Sequence, residues 1–239
     1  LRRRIRQSID GGSGGAVDSY ASIVGAYPWQ LWHDAEHRSG TTLTNRGSFA
    51  SADATITGLG TDITTGTIGG GACLVRAVDG AGHAVTDTTT VTSAQRIFFV
   101  GDMSSAGVDD WEAFGWYVGD GYYLTAVSSA FPQGFCQVGT VSGKVFADLR
   151  TGLHVICLAI NSSHATHKLY VDGVEVSGTT FATQNGNPSG SSTAPWSPMG
   201  SASYGAAMSW RMSAAIAYAD MSDAQMLAVS AQLMAIEGI

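Results

Sequence analysis

Residues 167–176 read His-Lys-Leu-Tyr-Val-Asp-Gly-Val-Glu-Val, and no other stretch of the chain so narrows how it can fold. Asp172-Gly173 is a dipeptide that accepts the positive φ of a tight hairpin turn. Leu169 and Val171 alternate with Tyr170 before it, and Val174 and Val176 flank Glu175 after it, so two short strands fold back on each other. Upstream, Leu153–Ile160 is an apolar run of strand length, bounded by Gly152 and by Asn161-Ser162-Ser163. A buried strand followed by a hairpin commits this part of the chain to antiparallel sheet.

The same rhythm recurs elsewhere. Strands are expected at 54–57, 72–78, 84–86, 96–101, 114–118, 122–127, 135–141 and 144–148. Turn signals separate them at Asp79-Gly80, Gly101-Asp102, Gly119-Asp120-Gly121 and Ser142-Gly143. Tyr27, Trp29 and Leu31 are expected on one face of an opening strand, with Pro28 at its start. Residues 179–203, rich in Gly, Ser, Thr, Asn and Pro, read as a long surface loop around Trp196. A last strand is expected at 210–218, then a helix with a capping box at Ser222 and Gln225 and a stop at Gly238. Met226, Leu227, Leu233, Met234 and Ile236 would form its apolar stripe. Many short, punctuated strands point to a sandwich and not to a βαβ fold. A hydrophobic content of 44% over 239 residues supports a full core without disulfides.

Two segments carry a family resemblance. The Leu153–Ile160 strand followed by the Tyr-Val-Asp-Gly hairpin is one. The other is the final strand, Ala219-Asp220-Met221-Ser222-Asp223-Ala224-Gln225, and the closing helix. Together they resemble the laminin-G-like, concanavalin-A-like lectin/glucanase family, while the middle of the chain matches only in rhythm. The tryptophan-containing segment 29–39 resembles the opening strand of such domains in bacteriophage fibre and decoration proteins. The resemblance implies an all-β, concanavalin-A-like jelly-roll sandwich over 19–239, with a short C-terminal helix. Residues 1–18 would then be a flexible basic arm with a Gly-rich linker, similar to the arms of phage structural proteins that plug into a virion.

Charge is unevenly placed. The net charge is −7, yet the first nine residues hold Arg2, Arg3, Arg4 and Arg6 and no acid. A basic peptide thus precedes an acidic body. It reads either as a solvated terminus or as a docking peptide for an acidic surface. Nucleic acid ranks last, because the acidic body opposes phosphate. No apolar run approaches the roughly 20 residues that span a bilayer, and the N-terminus lacks an apolar signal region. Cys73, Cys136 and Cys157 form an odd set with no metal-ligand spacing, so one disulfide at most is allowed. The expectation is a soluble protein made in a reducing host cytoplasm and carried on a virion.

Catalytic patterns are weak. His33-Asp34-Ala35-Glu36-His37 fits the H-x-x-E-H pattern of inverzincin metalloproteases, but zinc chemistry needs that pattern on a long helix. The segment follows an aromatic strand, so it reads as a polar strand-end loop. His164 and His167 read as a solvated turn. Glucanases of the resembled superfamily place Glu-x-Asp-x-x-Glu on one strand, and none of Glu36, Glu112, Glu175 and Glu237 begins it. Asp109, Asp110 and Glu112 beside Trp111 are the best remaining carboxylates, and no enzyme activity is expected.

Sugar recognition instead asks for exposed aromatic faces beside amides and carboxylates. The glycan-binding candidates are Asp109, Asp110, Trp111, Asn185, Asn187, Trp196 and Tyr204. The resemblance admits calcium, with Asp102, Asp109, Asp110 and Asp120 available, but no ligand-loop spacing is legible and no cofactor is assigned. The function expected is a virion fibre, spike or decoration module. Arg2, Arg3, Arg4 and Arg6 would anchor it to a capsid or tail protein, and a lectin-like body, as a homo-oligomer, would meet host-surface glycans. The alternative is a free carbohydrate-binding or glycan-cleaving protein.

Overall fold

The computed structural model describes residues 18–76, 83–86, 88–91, 95–102, 114–116, 122–125, 134–138, 145–146, 152–160, 168–176, 192–199 and 208–239. Residues 1–17 of the expected arm, Arg2, Arg3, Arg4 and Arg6 included, lie outside them. The chain opens with a one-turn helix α1 (Ala21–Val24), then β1 (Leu31–Asp34), a 3-10 turn (Ala35–His37), β2 (Arg38–Ser39), β3 (Thr42–Leu43) and β4 (Ala54–Thr57). A hairpin of β5 (Ile63–Ile68) and β6 (Gly71–Arg76) follows, then β7 (His83–Thr86), β8 (Thr88–Val91) and β9 (Gln95–Asp102). Four shorter strands come next: β10 (Phe114–Trp116), β11 (Tyr122–Thr125), β12 (Gly134–Val138) and β13 (Val145–Phe146). The last are β14 (Leu153–Ile160), β15 (Lys168–Val171), β16 (Val174–Glu175), β17 (Ser192–Ser197) and β18 (Met208–Ala217), before helix α2 (Asp223–Glu237).

These strands build an all-β jelly-roll sandwich closed by a short C-terminal helix. An eight-stranded antiparallel sheet runs β16-β15-β14-β9-β18-β6-β5, with β1 also paired to β18. The second layer holds a six-stranded sheet, β13-β12-β11-β10-β17-β8, and a four-stranded sheet, β2-β3-β4-β7. A bridge between Ala84 and Met199 joins the two parts of that layer.

The large sheet is covered on both faces, which explains why successive residues of β9, β14 and β18 are buried whichever way they point. On one face Ile97, Phe99, Ile156, Leu158 and Trp210 pack against Leu43, Ile56, Trp196 and Met199 of the second layer. On the other, Phe98, Val100, Val155, Cys157, Met212 and Ile216 pack against α2 and the segment that precedes β1. Helix α2 brings Met226, Val229 and Leu233 to that face, each worth about 1.5–3 kcal/mol of burial. Ser222 caps it: Gln225 N–H donates to Ser222 Oγ at 3.3 Å, and Ser222 N–H donates back to Gln225 Oε1 at 2.9 Å. Gly238 ends it in the left-handed region at φ 75°. Of the expected stripe, Met226 and Leu233 are fully buried, while Leu227, Met234 and Ile236 pack only partly; Val229 takes the central place.

Two expectations need correcting. Tyr27, Trp29 and Leu31 do not share a face: Leu31 points between the layers, Trp29 and Tyr27 toward α2. The strand starts only at Leu31, because Trp29 N–H already turns back to Tyr27 O at 2.9 Å. Trp29 instead makes edge contacts with Trp32 (4.8 Å between centroids) and Phe98 (5.4 Å). The second correction is β17, which lies within the stretch expected as a surface loop. Its Trp196 is fully buried in the core, because β8 and β10 flank it on either side.

Candidate functional site

His33-Asp34-Ala35-Glu36-His37 lies at the seam where the N-terminal segment, β1, β18 and α2 meet. Alternation along β1 sends Leu31 and His33 between the layers, and Trp32 and Asp34 toward the helix face. His33 is fully buried, and its Nε2–H donates to Ala52 O at 2.8 Å. Burial pushes its pKa down to about 4, so the ring is neutral. Asp34, also fully buried, caps the 3-10 turn by accepting from His37 N–H at 3.0 Å. It further accepts from His37 Nδ1 at 2.8 Å, from Trp32 Nε1 at 2.9 Å and from Arg46 Nη1 at 3.0 Å. The segment is therefore a buried junction and not a polar loop end. Its two imidazoles serve separate partners and do not converge on one point. Among the described residues, no group of three or more His, Cys, Asp or Glu is arranged to hold a metal ion.

The seam is a clasp of charges. Arg46 Nη1 donates to Asp18 Oδ1 at 3.0 Å, tying the start of the described chain to Asp34. Ser19 donates to Glu36 through its N–H at 2.9 Å and its hydroxyl at 2.7 Å. The Tyr20 hydroxyl donates to Glu237 Oε1 at 2.5 Å. Arg211 Nε and Nη2 grip Glu237 at 2.9 and 3.1 Å, and Nη2 lies 3.6 Å from Glu36 Oε1.

Burial, reinforced by the Glu237 carboxylate, pushes the Tyr20 phenol far above its usual range. Burial opposes the charge of Arg211, but the bonds to Glu237, with Tyr20 and Glu36 close by, outweigh it and raise its pKa. Gly71 leaves room for that guanidinium: a Cβ there would stand 2.1 Å from Arg211 Nη1. The described carboxylates of the clasp all meet donors, and what they do is fasten the fold.

The hairpin singled out from sequence forms as expected, with Asp172 at φ 50° and Gly173 at φ 75°. Asp172 also accepts from Val155 N–H at 2.8 Å and from His154 Nδ1 at 2.7 Å, which pins the turn to β14. Near the N-terminus of α2, Arg96 Nη2 donates to Asp223 at 2.7 Å and its guanidinium lies 5.4 Å from the Tyr218 ring centroid. Cys73 and Cys157 are both buried and free; burial pushes the Cys157 thiol up to about 12, so it is inert.

Of the glycan candidates, Trp196 stands in the core and not at the surface. Asp109, Asp110, Trp111, Asn185, Asn187 and Tyr204 lie outside the described residues, as do His164 and His167. Sequence reasoning missed Asp18, Arg46 and Arg211. A signal existed for Arg211, since an arginine inside the apolar stretch 208–217 must find a buried acid.

No protein-family model matches the chain, and no curated protein matches it by sequence. Solved structures match by shape. Trypanosoma rangeli sialidase superposes with a TM-score of 0.56 at 11% identity, covering 86% of this chain and 33% of its own. This chain thus spans about a third of the sialidase. Domain 4 of AbnA, a GH43 extracellular arabinanase from Geobacillus stearothermophilus, solved in complex with arabinotriose, gives 0.56 at 12% identity, covering 85% of this chain and 98% of that one. A receptor-binding domain gives 0.58 at 11% identity, with 90% of this chain and 53% of that one covered. At such identities the likeness is one of fold: the chain has the β-sandwich that carbohydrate-directed and receptor-binding domains also use.

Proposed function

We propose that this chain is a carbohydrate-binding sandwich that serves as an attachment module of a phage-like virion and not as an enzyme. The observation that carries the sugar-binding reading is the arabinanase domain, which is matched over 98% of its length and was solved with arabinotriose bound. The receptor-binding domain supports attachment in the same direction. In this reading the segments bearing Asp109, Asp110, Trp111, Asn185, Asn187 and Tyr204 meet host-surface glycan. They supply aromatic faces for pyranose C–H groups and amides and carboxylates for hydroxyls. Arg2, Arg3, Arg4 and Arg6 hold the module to an acidic surface of a capsid or tail protein.

The engagement of the clasp's carboxylates supports the non-enzymatic part. Glycoside hydrolysis needs two carboxyl groups facing one sugar, whereas Asp34, Glu36 and Glu237 are consumed within the clasp. A glycan array is the test, with the reducing ends released from a polysaccharide panel measured in parallel. Binding to a defined glycan, lost in Trp111→Ala and kept when residues 1–17 are removed, is the expected result. The same truncation should abolish incorporation into particles. Silence across the array overturns the sugar reading, and steady release of reducing ends overturns the non-enzymatic one.

A further inference from the structure

The chain holds four Asp-Gly dipeptides, at Asp10, Asp79, Asp120 and Asp172, and the last lies among the described residues. An Asp-Gly link is chemically weak, because glycine has no side chain to shield its backbone nitrogen. That nitrogen can attack Cγ of the preceding aspartic acid. Its proton and the carboxyl hydroxyl leave together as water, and a five-membered succinimide closes. Water then opens the ring. Attack at the side-chain carbonyl restores aspartate; attack at the α-carbonyl leaves isoaspartate, with the main chain running through Cγ. The water lost in the first step is regained in the second, and no other reactant is consumed.

At Asp172 this link stands at the surface. Gly173 is exposed, and Val174 beside it is 69% exposed. The carboxylate, however, is turned toward β14. The β14–β15 ladder ends where Ile156 faces Val171, and Asp172 continues it by one rung. Its backbone N–H donates to Val155 O at 2.8 Å, and its Oδ1 accepts from Val155 N–H at 2.8 Å. Its Oδ2 accepts from His154 Nδ1 at 2.7 Å. Both carboxylate oxygens are thus fastened to the neighbouring strand. Turning Cγ onto the Gly173 nitrogen means rotating the side chain and giving up both bonds. One donor is main chain and the other is an imidazole, which is 14% exposed against 26% for the carboxylate it holds.

We infer that Asp172-Gly173 is a site of spontaneous isomerisation that His154 holds shut. The imidazole is a positioning residue: it takes no part in the reaction and acts by keeping Cγ away from the Gly173 nitrogen. Isomerisation then waits on an opening of the hairpin that releases both oxygens. Its product would not fit back. Isoaspartate adds one atom to the main chain inside a two-residue turn, so Val171 and Val174 no longer meet in the register they now keep. The turn that commits this part of the chain to sheet is therefore also its point of ageing, protected while β14 and β15 stay paired. This holds whatever the sandwich binds.

Ageing the full chain at neutral pH, well below its melting temperature, tests it. Isoaspartate has the mass of aspartate, so residue 172 is followed by peptide chromatography with fragmentation mass spectrometry. In the folded parental chain the isomer should build up far more slowly than in the same chain held in urea. His154→Phe has no donor and should speed the folded-state reaction about tenfold, the factor that one hydrogen bond to a charged group is worth. His154→Asn sets an amide N–H where Nδ1 stood and should return the rate close to the parental one, a rescue that packing alone would not give. Circular dichroism checks that each variant is folded; should the phenylalanine variant not fold, His154→Ala takes its place. A folded parental chain that isomerises as fast as in urea, or a folded donor-free variant no faster than the parent, overturns the proposal.

Discussion

In β18 the residues opposite Gly101 and Val100 are Trp210 and Met212, so Arg211 is carried between them as the extra residue of a bulge. Before the bulge, Met208 and Trp210 point between the layers; after it, Met212, Ala214 and Ile216 point toward α2. The bulge is what delivers the guanidinium to Glu237. Replacing Arg211 by Met strands Glu237 and Glu36 in the interior, and removal of one partner from such a pair costs about 3–5 kcal/mol. Urea unfolding should show that loss, and adding Glu237→Leu should restore most of it. A single variant as stable as the parent would mean that the clasp carries no weight. His33 gives a pH signature. Its native pKa of about 4 lies below the ordinary 6.5, so between those values the unfolded chain binds a proton that the folded chain refuses. Stability therefore falls as pH drops through that window, by about 3 kcal/mol from this ring alone. His33→Gln keeps a donor for Ala52 and should flatten the acid side of the stability profile; an unchanged slope would assign it to other groups.

Elements whose chemistry is local were legible in the sequence. The Asp172-Gly173 turn, the β14 run and the Ser222–Gln225 cap each state their geometry within a few residues, and β4, β14 and the capped helix form at the expected positions. Replacing Ser222 by Ala should cost about 1 kcal/mol, read as a drop of a few degrees in melting temperature; no change would mean that packing alone fixes the start of the helix. Elements defined by their neighbours were not legible. Strand β5 carries small polar residues on an edge, and its outward threonines remove the apolar alternation that marks a strand. Strand β17 reads Ser-Thr-Ala-Pro-Trp-Ser, a composition of turns, and only pairing with β8 and β10 makes it a strand. Trp29 misled for the opposite reason: its aromatic character suggested a strand that starts two residues later.

For the whole molecule, the sandwich was readable from rhythm, but the covering of both faces of its large sheet was not, since one cover is assembled from the two ends of the described chain. The clasp was legible only in part for the same reason. Asp34 and Glu36 stood out only as part of the His33–His37 pattern, which read as a polar strand-end loop. Their partners come from other elements: Arg46 lies 12 residues from Asp34, and Glu237 lies 217 residues from Tyr20. That last separation governs when the contact between Tyr20 and Glu237 can form. Closing so long a loop costs about 5 kcal/mol of chain entropy, and the return comes only with the final helical turn. On the ribosome the segment around Tyr20 emerges 217 residues ahead of its acceptor. The strands between them can pair during synthesis, but the latch that ties the two segments together closes only once Glu237 has been made.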